Sequence, residues 1–174
     1  MSAPPLLRTR RLTLRPVRNG DAEALFPALS DADCMRWWSR APFTTIEEAR
    51  AYLAAEAPGC RRWCIAPDDG DAIGWVSAGE RRPGVSEIGY LLHPAHAGRG
   101  LAREAVACVI DALFAAGTRR LFADVDPDNR RSCRLLEALG FRLEGRLRGE
   151  WETHIGVRDS LIYGLLGADR RGGS

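Results

Sequence analysis

The residues best suited to chemistry in this sequence are the six from Ala97 to Ala102, which read A-G-R-G-L-A. Gly98 and Gly100 lack a Cβ atom, so a ligand can approach the backbone closely there. The six residues lie where a predicted strand, 85–92, gives way to a predicted helix that begins at Arg99. The first N–H groups of a helix have no intrahelical partner and stand at the positive end of its dipole. The spacing therefore predicts a seat for a phosphate group.

Two common phosphate-binding motifs do not fit these residues. The Walker loop requires a Lys, and this chain contains none. The dinucleotide fingerprint G-x-G-x-x-G/A fails because Arg103 occupies its third slot, which excludes a Rossmann-type nucleotide site. Two interpretations stay open on these residues alone: a pyrophosphate loop of another kind, and a strand-to-helix turn with no ligand.

A second group follows the predicted strand 121–125, in the segment D-P-D-N-R-R-S. Asp128 or Asn129 can cap the helix predicted over 129–139, and Ser132 lies close to Asn129 in the first helical turn. Local chemistry favours the plain interpretation, in which Asn129 is a cap and Ser132 is a tolerated polar residue.

Glu87 and His93 are the candidate proton acceptors near the loop. Strand geometry places Glu87, Gly89, Leu91 and His93 on one face of the strand 85–92. Glu87 is the first candidate base, with His93 or an ordered water as the alternatives. Glu87 could instead be a strand-edge carboxylate paired with an Arg.

The elements that must position these residues form an α/β (α+β) pattern. An antiparallel meander of three strands is followed by a strand–helix–strand–helix sequence, which predicts a mixed, mostly antiparallel sheet of about seven strands with helices on both faces. We expect Asn19 to cap the first helix, and Thr45 with Glu48 to form a capping box for the second. The predicted strands are 11–17, 62–66, 72–80, 85–92, 121–125, 141–148 and 155–165, and the main helices are 21–29, 45–57, 99–115 and 129–139.

Length and composition predict one domain over residues 1–174, with a core at about 8–167 and a disordered tail at about 168–174. The net charge of +2 favours neither nucleic acid nor a membrane surface as a partner. The five cysteines contain no C-x-x-C spacing, so we expect reduced thiols in the cytoplasm and no metal site. No apolar run reaches the length of a signal peptide or a membrane span.

Taken together, the motifs resemble those of the GNAT superfamily of N-acetyltransferases. Its pyrophosphate loop, Q/R-x-x-G-x-G/A, fits over Ala97 to Ala102 with Ala97 in place of the Gln or Arg. The RimJ/RimL-like branch, which resembles the ribosomal-protein-alanine acetyltransferases, has G-x-G-x-A-x-E-A here and N-x-x-S before L-x-x-L-G-F. Both are similar to this sequence, as is the closing segment with Asp159 and Tyr163.

The resemblance implies a GNAT fold and direct transfer of acetyl from acetyl-CoA to a primary amine. Glu87 would be the base, and a backbone N–H at Leu92 or His93 would polarise the thioester carbonyl. Ser132 or an ordered water would protonate the leaving thiolate, because the tyrosine common in other members is replaced here by Leu136. The implied acetyl-CoA-binding residues are Leu91, Leu92, His93, Ala97, Gly98, Arg99, Gly100, Leu101, Ala102, Asn129 and Ser132.

The resemblance also implies an acceptor site near Trp37 and Trp38, with Tyr163 as an architectural residue that could line it. The acceptor would be a protein N-terminal α-amine or a small amine. Because Ala97 and Leu136 depart from the wider pattern, a non-catalytic acyl-CoA-binding module stays open as the alternative. Homodimers are common in related enzymes, but no residue pattern here selects a dimer surface.

Overall fold

A mixed sheet of eight strands organises the computed structural model, which describes residues 3–55 and 58–171. The sheet is antiparallel except where its fifth and sixth strands run parallel. This confirms the predicted mixed, mostly antiparallel sheet. The strands are β1 (Leu7–Arg8), β2 (Thr13–Arg15), β3 (Cys60–Ala66), β4 (Gly74–Arg82), β5 (Val85–Leu92), β6 (Arg120–Val125), β7 (Arg142–Thr153) and β8 (Gly156–Leu166), in the spatial order β1-β2-β3-β4-β5-β6-β8-β7.

Helices cover both faces of this sheet. Trp75 and Val76 are consecutive in β4 but belong to two different apolar cores, because successive strand residues point to opposite faces. The core with Val76 includes residues of the fourth and fifth helices, and the core with Trp75 includes residues of the first and third. The helices are α1 (Asp21–Leu29), α2 (Ala32–Met35), α3 (Ile46–Ala54), α4 (Leu101–Ala115), α5 (Arg130–Ala138) and α6 (Gly167–Arg171).

A V-shaped gap between β5 and β6 is the feature that positions the candidate site, and we call it the crevice. The two strands pair only from Val85–Glu87 to Arg120–Phe122. Beyond this, β5 stays paired with β4 as far as Leu92, while β6 stays paired with β8. The strands therefore diverge at their carboxyl ends, and α4 and α5 both begin beside the opening. Ligands of α/β sheets bind at such divergence points.

Several boundaries differ from the sequence predictions for physical reasons. The predicted cap at Asn19 is wrong, because Gly20 is the N-cap residue with φ of 95° and makes no side-chain cap. The predicted strand 11–17 is reduced to Thr13–Arg15, since Pro16 has no N–H to donate to a ladder. The helix predicted to end near residue 57 ends at Ala54, and residues 56 and 57 lie outside the described residues.

The prediction of a disordered tail from residue 168 is wrong for residues 168–171, which form most of α6. The carboxylate of Asp169 accepts the backbone N–H of Leu166, and Arg170 forms an ion pair with Asp111 of α4. Residues 172–174 lie outside the described residues. Within residues 3–55 and 58–171, none of the helices has the length and apolar character needed to cross a bilayer.

Candidate active site

The loop before α4 has the backbone geometry of an anion-binding site. Gly98 and Gly100 adopt positive φ values of 74° and 73°, and the helix begins at Leu101 rather than at Arg99. Within the described residues, the backbone N–H groups of residues 98–103 donate to no protein acceptor. A Cβ added to Gly98 would meet no atom within 4 Å, so the space over the loop is open. A diphosphate fits this set of free donors at a helix N-terminus.

Arg11 brings a cation to the same loop, and the sequence analysis did not identify it. Its Nη1 donates to the carbonyl of Arg99 at 2.9 Å, and its Nε donates to the Glu104 carboxylate at 2.7 Å. Thr9 also donates to Glu104, at 2.6 Å. Burial opposes ionisation of Glu104, but these hydrogen bonds outweigh it and lower its pKa. Glu104 therefore holds residues 9–11 next to the loop, and this places the Arg11 guanidinium beside it.

Asn129, one of the two candidate caps, is the N-cap of α5, since its Oδ1 accepts the backbone N–H of Ser132 at 3.2 Å. This use of Oδ1 leaves the amide nitrogen of Asn129 without a protein acceptor in the described part of the chain. The hydroxyl of Ser132 lies 2.6 Å from the hydroxyl of Tyr90, a β5 residue that the sequence analysis did not single out. The capping role of Asn129 and a ligand-binding role are thus compatible.

Backbone geometry distinguishes the two residues considered for polarising the thioester. The N–H of His93 donates to the carbonyl of Ile73 at 2.7 Å, so it is not free. Because successive N–H groups of a strand point to opposite sides, the N–H of Leu92 points away from β4 and toward the crevice. Leu92 therefore fits a carbonyl-binding role better than His93. The His93 Nδ1 accepts the N–H of Ala95, which ties its ring to the following turn.

Glu87 lies where β5 and β6 begin to diverge. It shares a strand face with Leu91, which packs in the core with α1 and α3, and we call this side of the sheet the acceptor face. Arg81 pairs with Glu87 through Nε at 2.8 Å and Nη2 at 2.6 Å. The ion pair considered from the sequence is therefore present, and one carboxylate oxygen, Oε2, receives both contacts.

Asp124 is a second carboxylate on the acceptor face, two residues beyond the last β5–β6 pair, and the sequence analysis did not propose it. Its Oδ2 accepts the indole N–H of Trp151 at 2.9 Å, and its Oδ1 accepts the hydroxyl of Ser160. Burial raises the pKa of Asp124, and the negative charges of Glu87 and Glu150 raise it further. Glu87 and Asp124 are thus close enough for their negative charges to interact across the crevice.

The two tryptophans proposed for the acceptor site have different surroundings. Trp38 packs against Trp75 with ring centroids 5.7 Å apart and ring planes tilted by 54°, so it belongs mainly to the core. Trp37 lies with its ring 6.0 Å from the guanidinium carbon of Arg158, on β8. Trp151 pairs in register with Arg158, and 44% of it is exposed. Trp37 and Trp151 therefore flank Arg158 beside the carboxylates.

Tyr163 lies away from this face. It is 3% exposed, belongs to the core on the α4 and α5 side, and donates its hydroxyl proton to Glu137 at 2.9 Å. This position supports the architectural interpretation of Tyr163. Among the described residues, no group of three or more His, Cys, Asp or Glu side chains is arranged to hold a metal ion.

Sequence comparison finds relatives over most of the chain. Residues 11–142 match the model of the acetyltransferase (GNAT) domain. The uncharacterised N-acetyltransferase YoaA of Bacillus subtilis is 35% identical, over 93% of this chain and 97% of its own length. The uncharacterised N-acetyltransferase p20 of Bacillus licheniformis is 33% identical, over 92% and 95%. The spermidine N(1)-acetyltransferase of Escherichia coli is 27% identical, over 85% and 82%.

Solved structures have the same architecture. A putative acetyltransferase from T. thermophilus superimposes with a TM-score of 0.87 at 29% identity, covering 99% of this chain and 94% of that one. Mycobacterium smegmatis RimJ, solved with a CoA disulfide, gives a TM-score of 0.82 at 26% identity, with coverage of 95% and 87%. These structures share the fold that places the crevice and its loop.

Proposed function

The chain belongs to the acetyltransferase (GNAT) family, and we propose that it transfers acetyl from acetyl-CoA directly to a primary amine bound on the acceptor face. The activity class follows from the family: the chain is an N-acetyltransferase with acetyl-CoA as cosubstrate. One observation carries the assignment of the site. The crevice joins the open glycine loop and the N-terminus of α5 on one side to the carboxylates Glu87 and Asp124 on the other.

Three sets of donors support the placement of the cosubstrate. The free N–H groups of residues 98–103 would hold the diphosphate, with about 1.5–3 kcal/mol for each charge-assisted hydrogen bond. The amide of Asn129 would bind the pantetheine arm. The N–H of Leu92 would donate to the thioester oxygen, where it stabilises the negative charge that develops during attack.

Proton transfer is the second requirement, because only a neutral amine attacks. An α-amine has a pKa of about 8 and a side-chain amine about 10.4, so both are mostly protonated near neutral pH. We assign Glu87 and Asp124 as the carboxylates that receive this proton, directly or through water. The carbon–nitrogen bond then forms, the carbon–sulfur bond breaks, and the sulfur takes the Ser132 proton. The second proton of the attacking nitrogen passes through water to Ser132, and the carboxylate releases the first proton to solvent.

The acceptor face suits a cationic amine of either class inferred from the sequence. Two carboxylates attract an ammonium group, and Trp37 and Trp151 offer rings that pack against an alkyl chain or a peptide. A small polyamine is supported by the E. coli relative, which is a spermidine N(1)-acetyltransferase. A protein N-terminus is supported by the RimJ/RimL-like motifs of the sequence. Our proposal covers both classes.

An acceptor panel tests this function. The purified chain is mixed with acetyl-CoA and either N-terminal peptides or small amines that include spermidine, and free thiol release is measured beside product mass. We expect acetylated product from one class, with thiol released in equal amount. Tight acetyl-CoA binding without turnover on any amine would overturn the proposed reaction and support a binding module.

Replacing the carboxylates should slow the reaction without preventing cosubstrate binding. We expect Glu87→Gln with Asp124→Asn to lower kcat by about 100-fold, the lower range for general base catalysis. Each single variant should retain more activity than the pair, since either carboxylate can hold the proton. The measurement is steady-state kcat together with the Kd for acetyl-CoA.

Glu144→Gln is the matched control, because Glu144 also pairs with an arginine, Arg120, but outside the crevice. It should leave kcat unchanged. A double carboxylate variant with wild-type kcat would show that water alone receives the proton and that neither assignment is correct.

A further inference from the structure

Tyr90 makes a contact across the crevice that the proposed reaction has not used. It lies three residues beyond the last β5–β6 pair, on the face that packs against α4. Its hydroxyl lies 2.6 Å from the Ser132 Oγ and 3.4 Å from the Ser132 carbonyl oxygen. Ser132 belongs to α5, which follows β6. A hydrogen bond therefore connects β5 with α5 across the crevice, at a level where β5 and β6 are no longer paired.

We propose that Tyr90 is a positioning residue, which donates to the Ser132 hydroxyl and so directs the serine proton toward the departing sulfur. This inference rests on the proposed function, in which Ser132 is the acid. It explains how the leaving thiolate is protonated although Leu136 replaces the tyrosine that is common in other family members.

The direction of the hydrogen bond follows from counting donors and acceptors. A serine hydroxyl has one proton and two lone pairs, and a tyrosine hydroxyl likewise has one proton. The Tyr90 proton faces only the two oxygens of Ser132 among the described residues. If Tyr90 donates to Oγ at 2.6 Å, its proton is satisfied and the serine proton is free. If Ser132 donated to Tyr90 instead, the serine proton would be used. The Tyr90 proton would then reach only the Ser132 carbonyl oxygen, 3.4 Å away.

Tyr90 keeps its own proton through the reaction. Burial raises its pKa, so the phenol stays neutral beside Ser132. When the carbon–sulfur bond breaks, its electron pair passes to sulfur and sulfur takes the Ser132 proton. The negative charge that grows on Oγ strengthens the hydrogen bond from Tyr90 until water restores the serine proton. The role is thus orientation and charge stabilisation, with no net change at Tyr90.

A double-mutant cycle of Tyr90→Phe and Ser132→Ala tests the inference. Tyr90→Phe keeps the ring and removes only the hydroxyl, and we expect kcat to fall about 10-fold, the rate equivalent of one net hydrogen bond. The KM and Kd for acetyl-CoA should stay unchanged. Ser132→Ala should lower kcat at least as much, and the double variant should be no slower than Ser132→Ala. Tyr52→Phe, which removes a hydroxyl on α3, is the control that should retain wild-type kcat.

The possible results distinguish a failure of the Tyr90 inference from a failure of the Ser132 assignment on which it rests. If Ser132→Ala turns over normally, the acid assignment fails and Tyr90 loses its role with it. If Ser132→Ala is slow but Tyr90→Phe is normal, or if the two effects multiply, only the Tyr90 inference is overturned. Should Tyr90→Phe fail to fold, 3-fluorotyrosine at position 90 provides a stronger donor of similar size. It should keep kcat at or above wild type, and a 10-fold loss would overturn the inference.

Discussion

Gly100→Glu should abolish measurable acetyl-CoA binding. Gly100 has a φ of 73°, where any side chain is strained, and it is the N-cap residue of α4. The new carboxylate would occupy the position of an anion and repel the diphosphate at the helix N-terminus. Loss of two charge-assisted N–H bonds amounts to about 3 kcal/mol or more, which is at least about 100-fold in Kd. Calorimetric titration with acetyl-CoA measures this directly.

The other end of the same helix provides the control. Gly117 also has a positive φ, 96°, and a Cβ there would meet no atom within 4 Å. Gly117→Glu therefore introduces a similar backbone strain and the same charge, but far from the loop. We expect it to bind acetyl-CoA like the wild type. Equal binding by Gly100→Glu and the wild type would contradict the assignment of residues 97–102 as the pyrophosphate loop.

Much of the fold was predictable because local signals agreed with the global arrangement. The strand Val85–Leu92 and the helix Asp21–Leu29 have the predicted boundaries, since their apolar periodicity is strong and Pro or Gly residues flank them. Thr45 accepts the N–H of Glu48 as the capping box requires. The Asn19 cap failed because the Asp21 carboxylate instead accepts the N–H of Arg18, and no local rule decides between two such arrangements.

The residues of the candidate site were likewise predictable only in part. Residues joined by sequence spacing, such as Gly98 with Gly100 and Asn129 with Ser132, were predictable from one stretch of chain. Contacts between distant stretches were not, because they depend on strand register. Trp151 meets Asp124 only because β7, β8 and β6 align as they do, and Arg11 meets Arg99 from 88 residues away. Register is therefore the information that single-sequence patterns lack.

Asp21→Asn should be among the most destabilising single substitutions in this chain. Asp21 and Arg15 are 4% and 3% exposed, and they form two parallel hydrogen bonds of 2.8 Å between β2 and the start of α1. Removing the charge breaks the buried ion pair that both of these hydrogen bonds form, at a cost of about 3–5 kcal/mol. That is a large share of the roughly 5–15 kcal/mol that stabilises a domain. Urea unfolding measures the difference in the free energy of unfolding.

The pH dependence of that difference identifies the charge as its cause. Burial opposes ionisation of Asp21, but hydrogen bonds from Arg15 and the Arg18 N–H outweigh it and lower its pKa below the usual 3.8. A lowered carboxyl pKa stabilises the fold above about pH 4, and this stabilisation disappears as the pH falls through the lowered value. The wild type and Asp21→Asn should therefore differ most near pH 7 and converge in acid. Glu23→Gln, on the same helix as Asp21, breaks an exposed ion pair with Arg50 of α3 and should leave the unfolding curve nearly unchanged. A constant difference at all pH values would mean that lost packing, not lost charge, destabilises the helix that covers the acceptor face.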